Sequence, residues 1–453
     1  MSEKKLFENF NPVSAKEWKQ KIQFDLKGAD YNDTLVWESP EGIKVKPFYH
    51  ADYEVAPFHH SKNSTWNIGR SIYVKNGRSA NDKAKLALEK GTESLYFIVP
   101  SDEIDSQALL EGLNNVAIYF EFQFLSVEYV KSILQSAKNT SIHVFLNIDI
   151  IGHLAKTGNW YENLQSDHKK QYAILALEAK HCISVDMGLY QNAGANMVQQ
   201  LAYGIAHANE YLNHVSDGVS SAQQFTFKVA VGTNYFFEIA KLRALRLLWK
   251  TLAASYDMHT DCHIIATPTK RNKTLYDYNT NLLRTTTECM SAVLGGADMV
   301  LNMPYDAIYH KENDFGNRIA LNQLLLLKGE SYFDKVENAA EGAYYIESLT
   351  RQLAEKSLLL FKQIEKDGGF LKQLKNNAIQ KKIKENAQKE EVRFGEGKEV
   401  LVGTNKYVNG ADRMKDSIEL YPFVKTKPRK TLLEPIIEKR LAEDVEQKRL
   451  DDE

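Results

Sequence analysis

FTFKVAVGTNYFFEIAKLRALRLLWKTLA, residues 225–253, decides the fold. Phe225 to Val231 is a β-branched and aromatic run of buried-strand character, Gly232 permits a turn, and Asn234 stands where a helix N-cap belongs. Ile239, Leu242, Leu245 and Trp249 then recur at helical spacing, while Lys241, Arg243, Arg246 and Lys250 occupy much of the other face. The stretch predicts one strand–turn–helix unit. Taken alone, such a unit is scaffold, so its meaning depends on whether it repeats.

It does repeat. Apolar runs at Ser94–Val99, Val116–Phe122, His143–Ile150, Cys182–Met187, Cys262–Thr267 and Asp298–Met303 join Phe225–Val231, each followed by a helix-length segment. Seven such units predict a parallel α/β architecture. An eight-stranded (β/α)8 barrel of the TIM type fits best, because no glycine-rich dinucleotide loop follows the first strand. The position of the eighth strand stays open. Residues 1–80 read as an N-terminal arm and entry segment, with Phe7, Phe10, Trp18, Phe24, Tyr31 and Trp37 spread through a polar background. An arm of that composition cannot form its own core, so it is expected to lie on this barrel or on a partner. The barrel is assigned to residues 81–362 and a C-terminal helical segment to 363–453. There Gln363–Arg393 and Lys430–Glu453 are charge-rich helical patterns expected to be solvated, and Asp367-Gly368-Gly369 is a helix stop.

Composition narrows the function. With 453 residues, 43% hydrophobic and a formal net charge of -2, the chain can bury a large core and carries no bias toward nucleic acid or anionic membrane. Cys182, Cys262 and Cys289 lie far apart with no CxxC pair, which predicts core thiols in a reducing cytoplasm rather than a metal or redox site. The N-terminus MSEKKLFENFNPVSAKEW lacks the apolar core of a signal peptide, and no run approaches a membrane span.

The wording of these segments is more specific than their pattern. GTNYFFEIAKLRALRLLW resembles the fifth strand–helix unit of the methylmalonyl-CoA mutase family. In the same order, Ser39–Tyr49 (SPEGIKVKPFY) resembles that family's entry segment, Ser184–Ala195 its fourth strand and loop, and Asn281–Gly295 (NLLRTTTECMSAVLG) its sixth helix. Phe315–Gly329 is similar to the seventh helix, Gly342–Thr350 (GAYYIESLT) to the segment after it, and Glu399–Tyr407 (EVLVGTNKY) to the strand closing the barrel domain.

The resemblance implies a catalytic site that this sequence does not reproduce. Catalytic members place a Tyr-His pair before a Gln-x-Ala-Gly-Ala segment. Here Gln191, Asn192, Ala193, Gly194 and Ala195 are present, but the pair is Gly188-Leu189, which cannot donate a hydrogen bond to a thioester carbonyl. The family's His-x-Gln after strand six falls on Ile265 and Thr267, and its entry tyrosine on Ser71, within Trp66–Ser71 (WNIGRS). The cobalt-ligating DxHxxG motif is missing: Asp257-Met258-His259 and Asp261-Cys262-His263 carry Cys262 and Ala266 where the glycine belongs. Because the chain ends within fifty residues of Tyr407, no cobalamin-binding domain is expected.

Other groups offer little chemistry. His59-His60 suit a surface loop better than a metal site, and His143 and His263, at strand starts, suit hydrogen-bonded core or rim positions. Asp149 and Asp186, near the ends of the third and fourth predicted strands, are the best remaining acid-base candidates. No catalytic, cofactor-binding or metal-binding residue is assigned. The resemblance then implies a non-catalytic small subunit of an isomerase. It would pair with a homologous large chain that carries adenosylcobalamin, binds the CoA thioester and interconverts methylmalonyl-CoA and succinyl-CoA. The alternatives are a catalytic acyl-CoA mutase barrel working with a separate cobalamin-binding chain, and a free-standing CoA-thioester binding protein.

Overall fold

The fold is a closed barrel of eight parallel strands, seen in a computed structural model that describes residues 9–53, 58, 66–177, 179–215, 223–425 and 428–453. The strands are β1 Asn67–Tyr73, β2 Ser94–Val99, β3 Ala117–Phe122, β4 His143–Ile148, β5 His181–Asp186, β6 Thr226–Val231, β7 His263–Pro268 and β8 Met299–Leu301. Each pairs with the next, and β8 pairs with β1. The strand left open by the sequence is therefore β1, which lies inside the segment assigned to the arm. Glu399–Tyr407 closes nothing: among the described residues it holds only an isolated bridge, Val402 to Lys406.

Alternation along the strands builds two cores from one sheet. Leu95, Phe97 and Val99 of β2 and Ile118, Phe120 and Phe122 of β3 join the large core between barrel and helices. Tyr96, Tyr119, Phe145, Ile265, Met299 and Leu301 form a separate cluster inside the barrel. Gly69 of β1 makes room for it, since a Cβ there would stand 2.6 Å from the Leu301 side chain.

The helix that follows β6, α3 (Tyr235–Ala254), departs from the amphipathic expectation. Lys241, Arg243 and Arg246 are buried, and of the four charged residues only Lys250 reaches solvent. The cause is a second helical layer: α4 (Tyr344–Lys366) packs on both α3 and the preceding helix α2 (Met197–Val215). Each buried cation is matched. Lys241 pairs with Glu238 at 2.5 Å, Arg243 with Glu347 at 2.6 Å and Arg246 with Asp298 at 2.9 Å. Asn234 precedes α3 but makes no side-chain cap; Glu238 serves that end instead, accepting from the Gly232 amide at 2.8 Å.

The arm divides into two parts. Helix α1 (Ala15–Asp25) starts in a capping box between Ser14 and Glu17, and Trp18 stacks on Phe48 at 4.5 Å. Farther along, Tyr31 and Ile43 are buried and Trp37 meets Phe237 edge-on at 5.7 Å, so residues 31–45 lie on this chain's own barrel. Phe10 and Phe24, 74% and 78% exposed, face outward. Phe7 and the His59-His60 pair lie outside the described residues.

At the other terminus, α5 (Ala378–Gly395) and α6 (Glu443–Asp451) flank an irregular return across the C-terminal mouth of the barrel. The last segment is not the solvated helix its charges predict. Arg440 is buried against Glu446 at 2.5 Å, Glu443 is buried, and the backbone bonds Lys439 N to Asn192 O at 3.1 Å and Leu441 N to Arg271 O at 2.8 Å fasten it to the barrel loops. Tertiary docking of its alternate residues overrides its composition.

Candidate functional site at the C-terminal mouth of the barrel

In a parallel barrel, the loops after the strands carry the chemistry and the interior is packed with side chains. Here the interior is filled by rings. Tyr119 stacks on Phe145 at 4.2 Å and on His263 at 5.4 Å, and Phe145 stacks on His181 at 4.0 Å. Tyr119 Oη and His263 Nε2 are 3.0 Å apart, which makes His263 the hydrogen-bonded histidine expected at a strand start; His143 is exposed. Ile265, which takes the place of a family histidine, is fully buried in this plug.

Above the plug lies an ionic cluster that sequence reasoning missed. Lys228 of β6 contacts Glu121 of β3 at 2.5 Å and Asp186 of β5 at 3.2 Å, and Tyr96 Oη donates to Glu121 at 2.6 Å. Burial opposes the Lys228 charge, but Asp186 and Glu121 outweigh it and push its pKa well above the usual value. Burial likewise raises the Glu121 carboxyl, and the Lys228 ammonium overrides that and holds it at about 2. A lysine fixed as ammonium is no nucleophile, and a carboxylate this acidic is a poor base. The signal was a single Lys inside FTFKVAV, at an inward position.

Asp149 and Asp186 are also accounted for. Asp149 accepts from Tyr211 Oη at 2.7 Å, the Gly152 amide at 2.7 Å and the Asp186 amide at 2.9 Å, and it faces His207 Nε2 at 2.9 Å. Burial raises its pKa, yet His207 and these donors bring it below the ordinary value. It caps the helix after β4 and braces β5, which is structural work. Asp186 meets Lys228 and accepts from the Gly188 amide at 3.0 Å.

The loop after β5 encloses Gly188 and Leu189. Leu189 is buried in the large core, and a Cβ on Gly188 would lie 3.0 Å from Asp186 Oδ1. The next residues face inward to other parts of the protein. Gln191 Oε1 accepts from Lys241 at 2.9 Å, and Asn192 Oδ1 accepts from Thr269 Oγ1 at 2.8 Å while its Nδ2 donates to Glu438 at 2.9 Å. Thr267 is half-buried and Ser71 exposed, each on its own strand.

A cleft of about 1260 Å³ opens beside this loop. Its floor includes Gln191, Gly194, Thr233 and Arg271, one wall is Trp37–Glu41 of the arm, and the other is α5 with Asn386 and Glu390. Burial raises the carboxyls of both Glu41 and Glu390. The three cysteines are buried and form no disulfide, and among the described residues no cluster of three metal-ligating side chains occurs. No described helix is long and apolar enough to cross a membrane.

The closed ring of eight parallel strands with its surrounding helices defines the class of protein, a (β/α)8 barrel. Residues 122–450 match the family model described as methylmalonyl-CoA mutase. The chain is 33% identical to the methylmalonyl-CoA mutase small subunit of Porphyromonas gingivalis, over 92% of this chain and 73% of that one. It is 26% identical to the small subunit of Propionibacterium freudenreichii subsp. shermanii, over 94% and 73%. Against the methylmalonyl-CoA mutase of Cereibacter sphaeroides it is 27% identical over 86% of this chain and 64% of that protein. The chain belongs to the methylmalonyl-CoA mutase family.

Proposed function

We propose that this chain is the non-catalytic small subunit of an adenosylcobalamin-dependent methylmalonyl-CoA mutase. In this reading it pairs in the cytoplasm with a homologous large chain that holds the cofactor and the CoA thioester. It contributes no catalytic, cofactor-binding or metal-binding residue to that reaction; the segment before β1 supplies arm and entry, the barrel begins at β1 (Asn67–Tyr73) rather than at residue 81 and runs to about residue 362, and 363–453 form the C-terminal cover. The observation that supports the reading is at the C-terminal loops, where Leu189 is buried in the core and Gln191 and Asn192 are bonded to Lys241, Thr269 and Glu438 of this chain. His207 is fully buried between Asp149 and Tyr190, so this histidine offers no ring nitrogen to a cobalt. The cofactor brings the radical chemistry wherever it is bound.

Equilibrium dialysis tests this directly. The purified chain is expected to retain no adenosylcobalamin and to show no mutase activity, and activity is expected only in the 1:1 mixture with the large chain. A stoichiometric cofactor complex of micromolar or tighter affinity for the chain alone would overturn the assignment.

A second test concerns the arm. Phe10 and Phe24 are outward, and burying a large apolar side chain stabilises by roughly 1.5–3 kcal/mol. Deleting residues 1–30 is expected to leave the circular dichroism of a folded barrel and to weaken binding of the large chain by about tenfold or more, read by analytical ultracentrifugation. Undiminished affinity would place the interface on the barrel helices.

A further inference from the structure

Arg271, in the loop after β7, uses only part of its guanidinium. It is 5% exposed; Nε donates to Glu390 Oε2 at 2.6 Å and Nη1 donates to the Lys439 carbonyl at 2.7 Å, while Nη2 has no hydrogen-bond partner. Nε and Nη2 project from the same edge of the planar guanidinium and together form a fork that matches two oxygens of a carboxylate or phosphate. Glu390 fills one prong. The other is a buried donor left unpaired, an arrangement that costs stability and asks for an explanation.

The surroundings supply one. Glu390 belongs to α5, the wall of the cleft, and reaches Arg271 from there. Gly194, held at φ +99°, lets that helix press against the loop: a Cβ on it would lie 2.6 Å from Ala387 and 3.1 Å from Arg271 Cζ. The helix therefore shields the open prong, and Glu390 holds the helix in place with a carboxylate that burial disfavours and Arg271 sustains. The adjoining cleft, about 1260 Å³, is far larger than one anionic group needs.

We propose that the cleft binds an organic anion whose carboxylate or phosphate group displaces Glu390 from the Nε–Nη2 fork of Arg271, moving α5 outward as it enters. The site belongs to this chain alone and stands whether or not the chain is catalytic. Glu390 acts as a tethered surrogate for the ligand, and the second oxygen of the incoming group satisfies Nη2.

Titration calorimetry of the full chain, with inorganic phosphate in one arm and succinate in the other, tests the site and tells the two groups apart. At least one probe is expected to bind saturably. Glu390→Gln, which removes the competing charge while keeping the side-chain volume, is expected to tighten that binding threefold or more. Arg271→Lys, which keeps the charge and loses the fork, is expected to weaken it at least tenfold. Amide exchange in residues 378–395 is expected to rise at saturation. The proposal fails if neither probe binds, if Arg271→Lys binds like the parent, or if Glu390→Gln leaves binding unchanged or weaker. Should Arg271→Lys not fold, the direction of the Glu390→Gln effect alone decides.

Discussion

Arg246→Ala is expected to destabilise the barrel by about 3–5 kcal/mol, the cost of removing one member of a buried ion pair and stranding the other. Arg246 donates from Nη1 to the Cys262 carbonyl at 2.8 Å and from Nη2 to the Gly296 carbonyl at 2.5 Å and Asp298 Oδ2 at 2.9 Å. Asp298 in turn accepts from the Ile264 amide at 2.6 Å. One side chain on α3 thus ties together the starts of β7 and β8, where β8, of three residues, is the barrel's shortest strand. Urea unfolding at constant slope measures the loss. Lys250→Ala, on the solvent side of the same helix, serves as the control and is expected within about 0.5 kcal/mol of the parent. A loss under about 1 kcal/mol for Arg246→Ala would mean that water replaces the guanidinium, and that the base of the barrel is open there.

That arginine marks the limit of what the sequence disclosed. The strands were legible because an apolar run between turn signals is buried on both faces only in a covered parallel sheet. β1 escaped because NIGRSIY alternates polar and glycine residues: Gly69 yields to Met299 and Leu301, Ser71 is exposed, and Arg70 pairs with Glu312 at 3.0 Å outside. Helical periodicity showed that Lys241, Arg243 and Arg246 share a face, but their burial depends on α4, a hundred residues later. Glu347, the partner of Arg243, stood in plain view within the GAYYIESLT segment, yet nothing local connects the two.

Single positions in the candidate site were legible and their partners were not. Gly188-Leu189 and Ile265 could be read as apolar substitutes position by position. The Lys228–Glu121–Asp186 cluster could not, because its members come from β6, β3 and β5 and meet only when the sheet closes. Inward alternation alone would have placed Lys228 in the interior. Its pairing with Glu121 and Asp186 is what the sequence did not show.

Gly188→Tyr combined with Leu189→His is expected to produce no mutase turnover, although it writes the family's pair back into the chain. A missing donor of this kind typically costs about a hundredfold to a thousandfold in rate, so its return would help only a site that was otherwise intact. This one is not. Tyrosine at position 188 starts with a Cβ 3.0 Å from Asp186 Oδ1, and moving that carboxylate disturbs its contact with Lys228. Histidine at position 189 replaces a side chain that is 3% exposed in the core, so its imidazole is buried without a prepared partner, at a cost of roughly 1–3 kcal/mol. The rings of Tyr119 and Phe145 still fill the interior below. The double variant is therefore expected to unfold at lower urea than the parent and to stay inactive with methylmalonyl-CoA and adenosylcobalamin, while the mixture of parent and large chain turns over. Product formation by the double variant alone would show that the plug gives way to substrate, and that two side chains were all that separated this barrel from catalysis.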